Sequence, residues 1–234
     1  MKQKTLKDNL TKQQQSIFAV SSIILILLVD QLVKIWIKTN FSPYHTKTLV
    51  EGFIELHFIE NRGMAFGTEF GSGIWAKYAL STFRLAAIIG IGYYLRKIII
   101  NEKPNFLFLL SIILIFAGAT GNLIDGMFYD YAFELDTNFL TNWSRVYDEN
   151  NDVYLPDQLR KSGFMLGSVV DMFRFTVRWP DAMPFGLGGE EIFPPIWNVA
   201  DFSISCGVAL LLLRYRKNFG SKNEPDNSQE IAIQ

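Results

Sequence analysis

Apolar positions collect in four windows of about 20 residues, Ile17 to Ile37, Ile74 to Leu95, Phe106 to Ile124 and Pro195 to Leu213, separated by polar stretches. At about 1.5 Å per residue each window is long enough to cross a hydrocarbon core of roughly 30 Å. Backbone N–H and C=O groups cannot stay unpaired in lipid, so the windows are predicted to be helices. Between the first two the period changes. Ile54, Leu56 and Phe58 alternate with Glu55 and His57 as in a half-buried strand, and Gly52 and Asn61-Arg62-Gly63 bracket the run as turn signals. The expected fold is a membrane all-α bundle of four transmembrane helices with a small extracytoplasmic β-structure.

Lys2, Lys4, Lys7 and Lys12 before the first window give it the basic flank of a secretory signal peptide. The run continues through Asp30, Lys34, Trp36 and Lys38 with no small-residue cleavage pattern, so it is expected to remain as an anchor. Arg96, Lys97 and Lys103, and then Arg214, Arg216 and Lys217, fall on the same side as the first lysines and outweigh Lys38, Lys47, Arg62 and Lys77 opposite. Both termini are therefore expected in the cytoplasm, with 38–73 and 125–194 outside. The chain divides into a cytoplasmic N-terminal segment 1–16, a four-helix membrane domain 17–217 with an outer β-region 41–73 and an outer insertion 127–166, and a cytoplasmic tail 218–234 too poor in apolar residues to pack.

Composition changes this picture little. The chain of 234 residues is 49% apolar with a net charge of -1, which excludes a nucleic-acid binder on electrostatic grounds and makes membrane lipids the expected surroundings. Cys206 stands alone in an apolar segment and reads as packing. His45 and His57 lack the clustered ligands of a zinc site.

Candidate chemistry lies in the polar residues that interrupt the windows. Asp30 and Lys34 fall in the outer half of the first window, Asn122 and Asp125 at the outer end of the third, and Asp201 six residues after Pro195, roughly 9 Å down a helix. Asp171, in the second outer stretch, can fold back to the same level. Ionisable groups in membrane segments are functional candidates by default. Two carboxyl groups within about 3 Å share one proton, so Asp171 and Asp201 together could take a proton from water and give one to a carbonyl oxygen. That is peptide hydrolysis without a metal or a nucleophilic serine. Structural readings stand beside this one. Asp30 and Lys34 at i,i+4 suit a helix pair, Asp125 a helix-end cap, Asn61 with Gly63 a turn, Asn122 a helix–helix contact and Asn198 a bond near the start of the fourth window. Arg84, mid-window, needs a partner, for which Asp30 is the expectation. The aromatics from Phe128 to Phe133 read as an interfacial belt. Other classes share these acids: a small membrane transporter or ion-channel subunit, whose site would lie near the midplane of an internal repeat, or a noncatalytic membrane assembly factor, indifferent to loss of Asp171 or Asp201.

Five segments carry a resemblance: Asp30-Gln31-Leu32-Val33-Lys34, Asn61-Arg62-Gly63-Met64-Ala65-Phe66-Gly67, Gly118-Ala119-Thr120-Gly121-Asn122-Leu123-Ile124-Asp125, Val169-Val170-Asp171-Met172-Phe173 and Asn198-Val199-Ala200-Asp201. In this order they resemble the motifs of the lipoprotein signal peptidases, or type II signal peptidases. The resemblance implies an aspartyl intramembrane peptidase of the bacterial cytoplasmic (inner) membrane, active near the outer face, that cuts diacylglyceryl-modified prolipoproteins just before the lipid-bearing cysteine. It implies Asp171 and Asp201 as the catalytic pair. Asn61, Asn122, Asn198, Asp30, Lys34, Asp125, Gly121 and Ala200 would form the substrate-binding or supporting shell, with no metal or organic cofactor. No oligomeric state follows. Three departures stand out: Val33 where a hydroxyl residue is frequent, Gly126 where an arginine is usual, and the length of the insertion. Arg84, Arg174 and Arg178 are the alternatives for the missing cation.

Overall fold

The computed structural model describes residues 10–61, 74–101, 104–133, 145–151 and 153–220. The Arg62 to Gly67 part of the second motif and the last fourteen residues of the expected tail lie outside them. Four helices run through the chain, α1 (Lys12–Asn40), α2 (Ile74–Asn101), α3 (Phe106–Ala132) and α4 (Val199–Gly220), with strands β1 (Thr46–Val50), β2 (Ile54–Asn61), β3 (Arg145–Asp148), β4 (Val153–Leu159) and β5 (Val169–Phe175). α1 starts where Thr11 and Gln14 satisfy each other's backbone N–H groups in a capping box. α1 and α3 are long and apolar enough to cross a membrane.

The bundle inverts the usual distribution of polarity. Leu25, Leu28 and Leu32 on α1, Phe83 and Ile89 on α2 and Leu212 on α4 are all more than half exposed, while Asp30, Lys34, Asp125 and Asn198 are fully enclosed. Such an exterior stays hydrated only at a large free-energy cost, and an apolar solvent removes that cost.

Small residues let α3 and α4 approach closely. A Cβ on Gly118 would lie 2.3 Å from the Ala200 carbonyl oxygen, and one on Gly207 would lie 2.7 Å from the Ser111 oxygen. Further along the seam the Ser203 hydroxyl donates to the Leu114 carbonyl at 2.8 Å. Close backbone contact of this kind is the main source of helix association where no water is expelled. α1 and α3 are tied differently. The Lys34 ammonium on α1 bonds Asp125 of α3 at 2.8 Å and Asn122 at 2.9 Å, as well as Asp30 of its own helix at 2.9 Å.

One end of the bundle is covered by a sheet of order β1-β2-β5, antiparallel throughout. The β1–β2 turn contains Gly52 at φ 68°, a left-handed conformation that costs a glycine little. The alternation in β2 is realised: Leu56 and Phe58 are buried with Val170 and Met172 of β5 against Ile37 and Tyr129. Lys38 pairs with Glu60, fixing the end of α1 to β2. β5 is the element the alternation pattern missed, because its Val169 to Met172 is buried on both faces and therefore does not alternate.

Three sequence expectations are corrected. α4 begins at Val199, not Pro195, because the segment before it is held extended against β5 by paired Phe173 and Trp197 backbone bonds of 2.8 and 2.9 Å. Asp201 is therefore in the first turn rather than roughly 9 Å down the helix. Asn61 ends β2, opposite Val169, and is not a turn residue. α3 continues to Ala132, so Asp125 lies inside the helix and the insertion 127–166 begins as helix.

The insertion then forms a β3–β4 hairpin and returns along α3. Asp130 accepts from both Arg160 guanidinium nitrogens, at 2.8 and 3.0 Å, and from the Gly163 N–H. The Gly167 N–H donates to the Gly126 carbonyl at 3.0 Å, and Ser81 of α2 donates to the Met165 carbonyl at 2.8 Å.

Two stability outcomes follow from this packing. Gly118→Ala should destabilise the detergent-solubilised protein by about 1–3 kcal/mol in thermal or steric-trap unfolding, while Gly90→Ala, with open space around it, should not. Lys34→Met should cost about 3–5 kcal/mol by the same measurement, because it strands two enclosed carboxylates.

Candidate active site

α1, α3, β5 and the start of α4 meet just below the sheet, and each brings a carboxylate there. On α1, Asp30 uses one oxygen for Lys34 and the other for the Ala200 N–H at 2.9 Å, so it caps the positive end of α4. Gly121 makes room: a Cβ there would lie 2.6 Å from an Asp30 oxygen and 3.3 Å from the Ala200 Cβ. On α3, Asp125 accepts from Lys34, from Gln31 at 2.9 Å and from the Val170 N–H at 3.3 Å. Gln31 in turn accepts from the Tyr129 hydroxyl at 3.1 Å. Asp30 and Lys34 are thus more than an isolated helix pair, and Asp125 is a junction between α1, α3 and β5.

Asn122 passes this order on to α4. Its carbonyl oxygen accepts from Lys34, which leaves its amide N–H to donate to Asp201 at 2.8 Å. Asn198 sits at the N-cap of α4 and grips both acids. Its oxygen accepts the Asp201 N–H at 2.8 Å, three residues on, as capping requires. Its amide donates to Asp171 at 2.5 Å. Asp171 projects from β5 and is 1% exposed. Burial pushes its carboxyl up to about 8, the negative charge of Asp201 adds to the shift, and hydrogen bonds from Asn61 and Asn198 oppose it. Its second oxygen is buried and has no hydrogen-bond partner among the described residues.

Every site residue expected from the sequence that falls in the described part is therefore in or beside one network. Val33 packs instead with the apolar cluster under the sheet. Sequence reasoning missed Gln31 and the backbone of Val170. Gln31 is adjacent to Asp30 and one turn from Lys34 side by side with them on α1, a spacing that could have included it. The expected Arg84 partner is wrong. Asp30 is taken by Lys34 and the helix cap, and the negative charges that act on Arg84 are those of Asp201, Asp171 and Asp125. Arg174 bonds Glu55 at 3.2 Å and pairs with Glu191, and Arg178 also turns to Glu191, so both are committed to the sheet and its following loop.

Comparisons with known proteins point the same way. A family model described as signal peptidase (SPase) II matches residues 22–216. The chain is 35% identical over 236 residues to the lipoprotein signal peptidase of Porphyromonas gingivalis, covering 94% of this chain and 95% of that protein. It is 28% identical to the lipoprotein signal peptidase of Amoebophilus asiaticus, over 95% of this chain and 87% of that one. In fold it is similar to a bacterial membrane enzyme solved by the in meso method, at 22% identity and a TM-score of 0.55, over 89% of this chain and 93% of the other. The chain belongs to the signal peptidase II family, the peptidases that remove signal peptides from lipoproteins.

Proposed function

We propose that Asp171 and Asp201 are the catalytic pair of this peptidase, and that the substrate is a diacylglyceryl-modified prolipoprotein cut just before its lipidated cysteine. The observation that carries the assignment is the single Asn198 side chain that donates to the Asp171 carboxylate and accepts the Asp201 backbone N–H, while one Asp171 oxygen stays buried with no hydrogen-bond partner among the described residues. Asp171 holds the shared proton at neutral pH, since burial disfavours its charge. Asp201 takes a proton from water, the resulting hydroxyl attacks the scissile carbonyl carbon, and Asp171 gives its proton to the carbonyl oxygen. Collapse of the tetrahedral intermediate breaks the C–N bond: the leaving amine takes the proton that Asp201 accepted, and a hydroxyl of the intermediate returns its proton to Asp171 as the new carboxyl group forms. Asn61, Asn122 and Asn198 present amides that donate and accept at once, which suits them to hold an extended peptide backbone as well as the pair.

The same reading places all four helices in the bacterial inner membrane. The apolar exteriors of α2 and α4 support this, and the basic clusters at Arg96, Lys97 and Arg214 set both termini in the cytoplasm. The active site then lies near the outer face, where the lipid-bearing part of a substrate can stay in the bilayer. Residues 17–217 form the membrane domain, with the β-region and the insertion outside.

Purified full-length protein in detergent tests the chemistry. Asp171→Asn and Asp201→Asn, each still folded, should lose at least about 100-fold in cleavage of a diacylglyceryl-modified prolipoprotein, whereas a metal chelator should leave the intact chain unaffected; two folded variants cleaving at the original rate would sink the assignment. Because the Asp171 proton is the acid, cleavage should fall as pH rises through about 8, read as kcat/KM against pH.

A further inference from the structure

Arg84 is the charged side chain at the site that the hydrogen-bond network leaves out. It is half-buried in the middle of α2, and among the described residues it makes no hydrogen bond and no ion pair within 4.0 Å. A guanidinium is expensive to place in a membrane helix, and five N–H donors without partners raise that cost. Its position is set by packing. Ser81 lies 4.0 Å from where a Cβ on Gly126 would stand, so this face of α2 meets α3 just after Asp125. Arg84, three residues on, shares the face and lies roughly 4.5 Å deeper, toward the level of Asn122, which holds Asp201.

The charges around the pair leave Arg84 a definite role. α1 contributes Asp30 and Lys34, α3 contributes Asp125, and β2 and α4 contribute the neutral Asn61 and Asn198. The Lys34 charge acts on both acids, but its three N–H donors go to Asp30, Asp125 and Asn122. Lys77, two turns away on α2, interacts with Asp130, Arg160 and Glu60 as well as Arg84. Among the described residues Arg84 is the second cation acting on the pair, with Asp201, Asp171 and Asp125 as the charges it senses and no hydrogen-bonded acceptor of its own.

We propose that Arg84 is a positioning residue for the catalytic pair: its charge, delivered from α2 because position 126 carries no side chain, holds Asp171 and Asp201 in their singly protonated, singly charged form. A cation near a carboxylate favours the ionised state, so without it the pair would keep both protons to a higher pH. The inference rests on the peptidase reading.

The test compares kcat and kcat/KM against pH for the intact chain, Arg84→Gln and Arg84→Lys, all full length, in detergent with a diacylglyceryl-modified prolipoprotein. Arg84→Gln should move the acidic limb of the profile upward by about one pH unit and reduce cleavage on that limb about tenfold, with KM little changed. Arg84→Lys keeps the charge and should keep the limb in place. A purely structural arginine would lower the amount of folded enzyme without moving the limb. A folded Arg84→Gln enzyme whose limb coincides with that of the intact chain overturns the inference. If Arg84→Gln does not fold, Arg84→Met takes its place: a limb moved up by about a unit supports the role, and an unmoved limb overturns it. An intact chain that cleaves at no pH overturns the peptidase reading instead.

Discussion

The structure depends on one enclosed ammonium. Lys34 has three N–H donors, and each finds an acceptor: a carboxylate on its own helix, a carboxylate on α3 and the Asn122 amide oxygen. Because the last of these is used as an acceptor, the Asn122 amide is turned so that its N–H can reach only outward to Asp201. Asp30, held by Lys34, has one oxygen left for the first turn of α4. Helix packing and active-site geometry are thus set by the same atoms. A buried ion pair is a weak source of net stability, but a strong source of uniqueness when every donor and acceptor is used.

Around that centre the chain solves a problem of approach. The two acids come from unlike elements, a strand lying on the bundle and a helix starting inside it. They can share a neighbour only because α4 comes close to α3 along Gly118, Gly121 and Ala200 and because Trp197 is strapped to Phe173 immediately before the Asn198 cap. Nothing in this requires a large apolar core; the apolar residues mainly face outward.

What could be read from the sequence follows from which signals are local. The four apolar windows and the β2 alternation are local patterns, and they reappear with shifted ends. The ends shift because caps and backbone pairing, not hydropathy, terminate an element: Pro194, Pro195 and Ile196 are apolar yet lie outside the helix, and Phe128 to Ala132 are helical although Asp125 and Gly126 interrupt the apolar run before them. The acids were legible as an ensemble because charges are conspicuous in apolar segments. Their connections were not, since which oxygen faces which amide is decided by residues up to 170 positions apart. Arg84 shows the limit best. A single charge in a helix demands company, but only the bonds of Asp30 to Lys34 and to the Ala200 N–H show that it is already taken.

The bond between Gly126 and Gly167 also bears on how the family can vary. It brings the two ends of the inserted stretch to 3.0 Å, directly beside Asp125 at one end and four residues before Asp171 at the other. The inserted stretch therefore leaves and rejoins the site at a single neck. For a flexible excursion, doubling its length raises the closure cost by only about 0.6 kcal/mol. The alignment with the Fusobacterium nucleatum relative covers 72% of that protein but 53% of this chain, a disparity of size that such a sealed neck would tolerate. The β3–β4 hairpin is thus a cassette, exchangeable without reopening the bonds that hold Asp125 and Asp171.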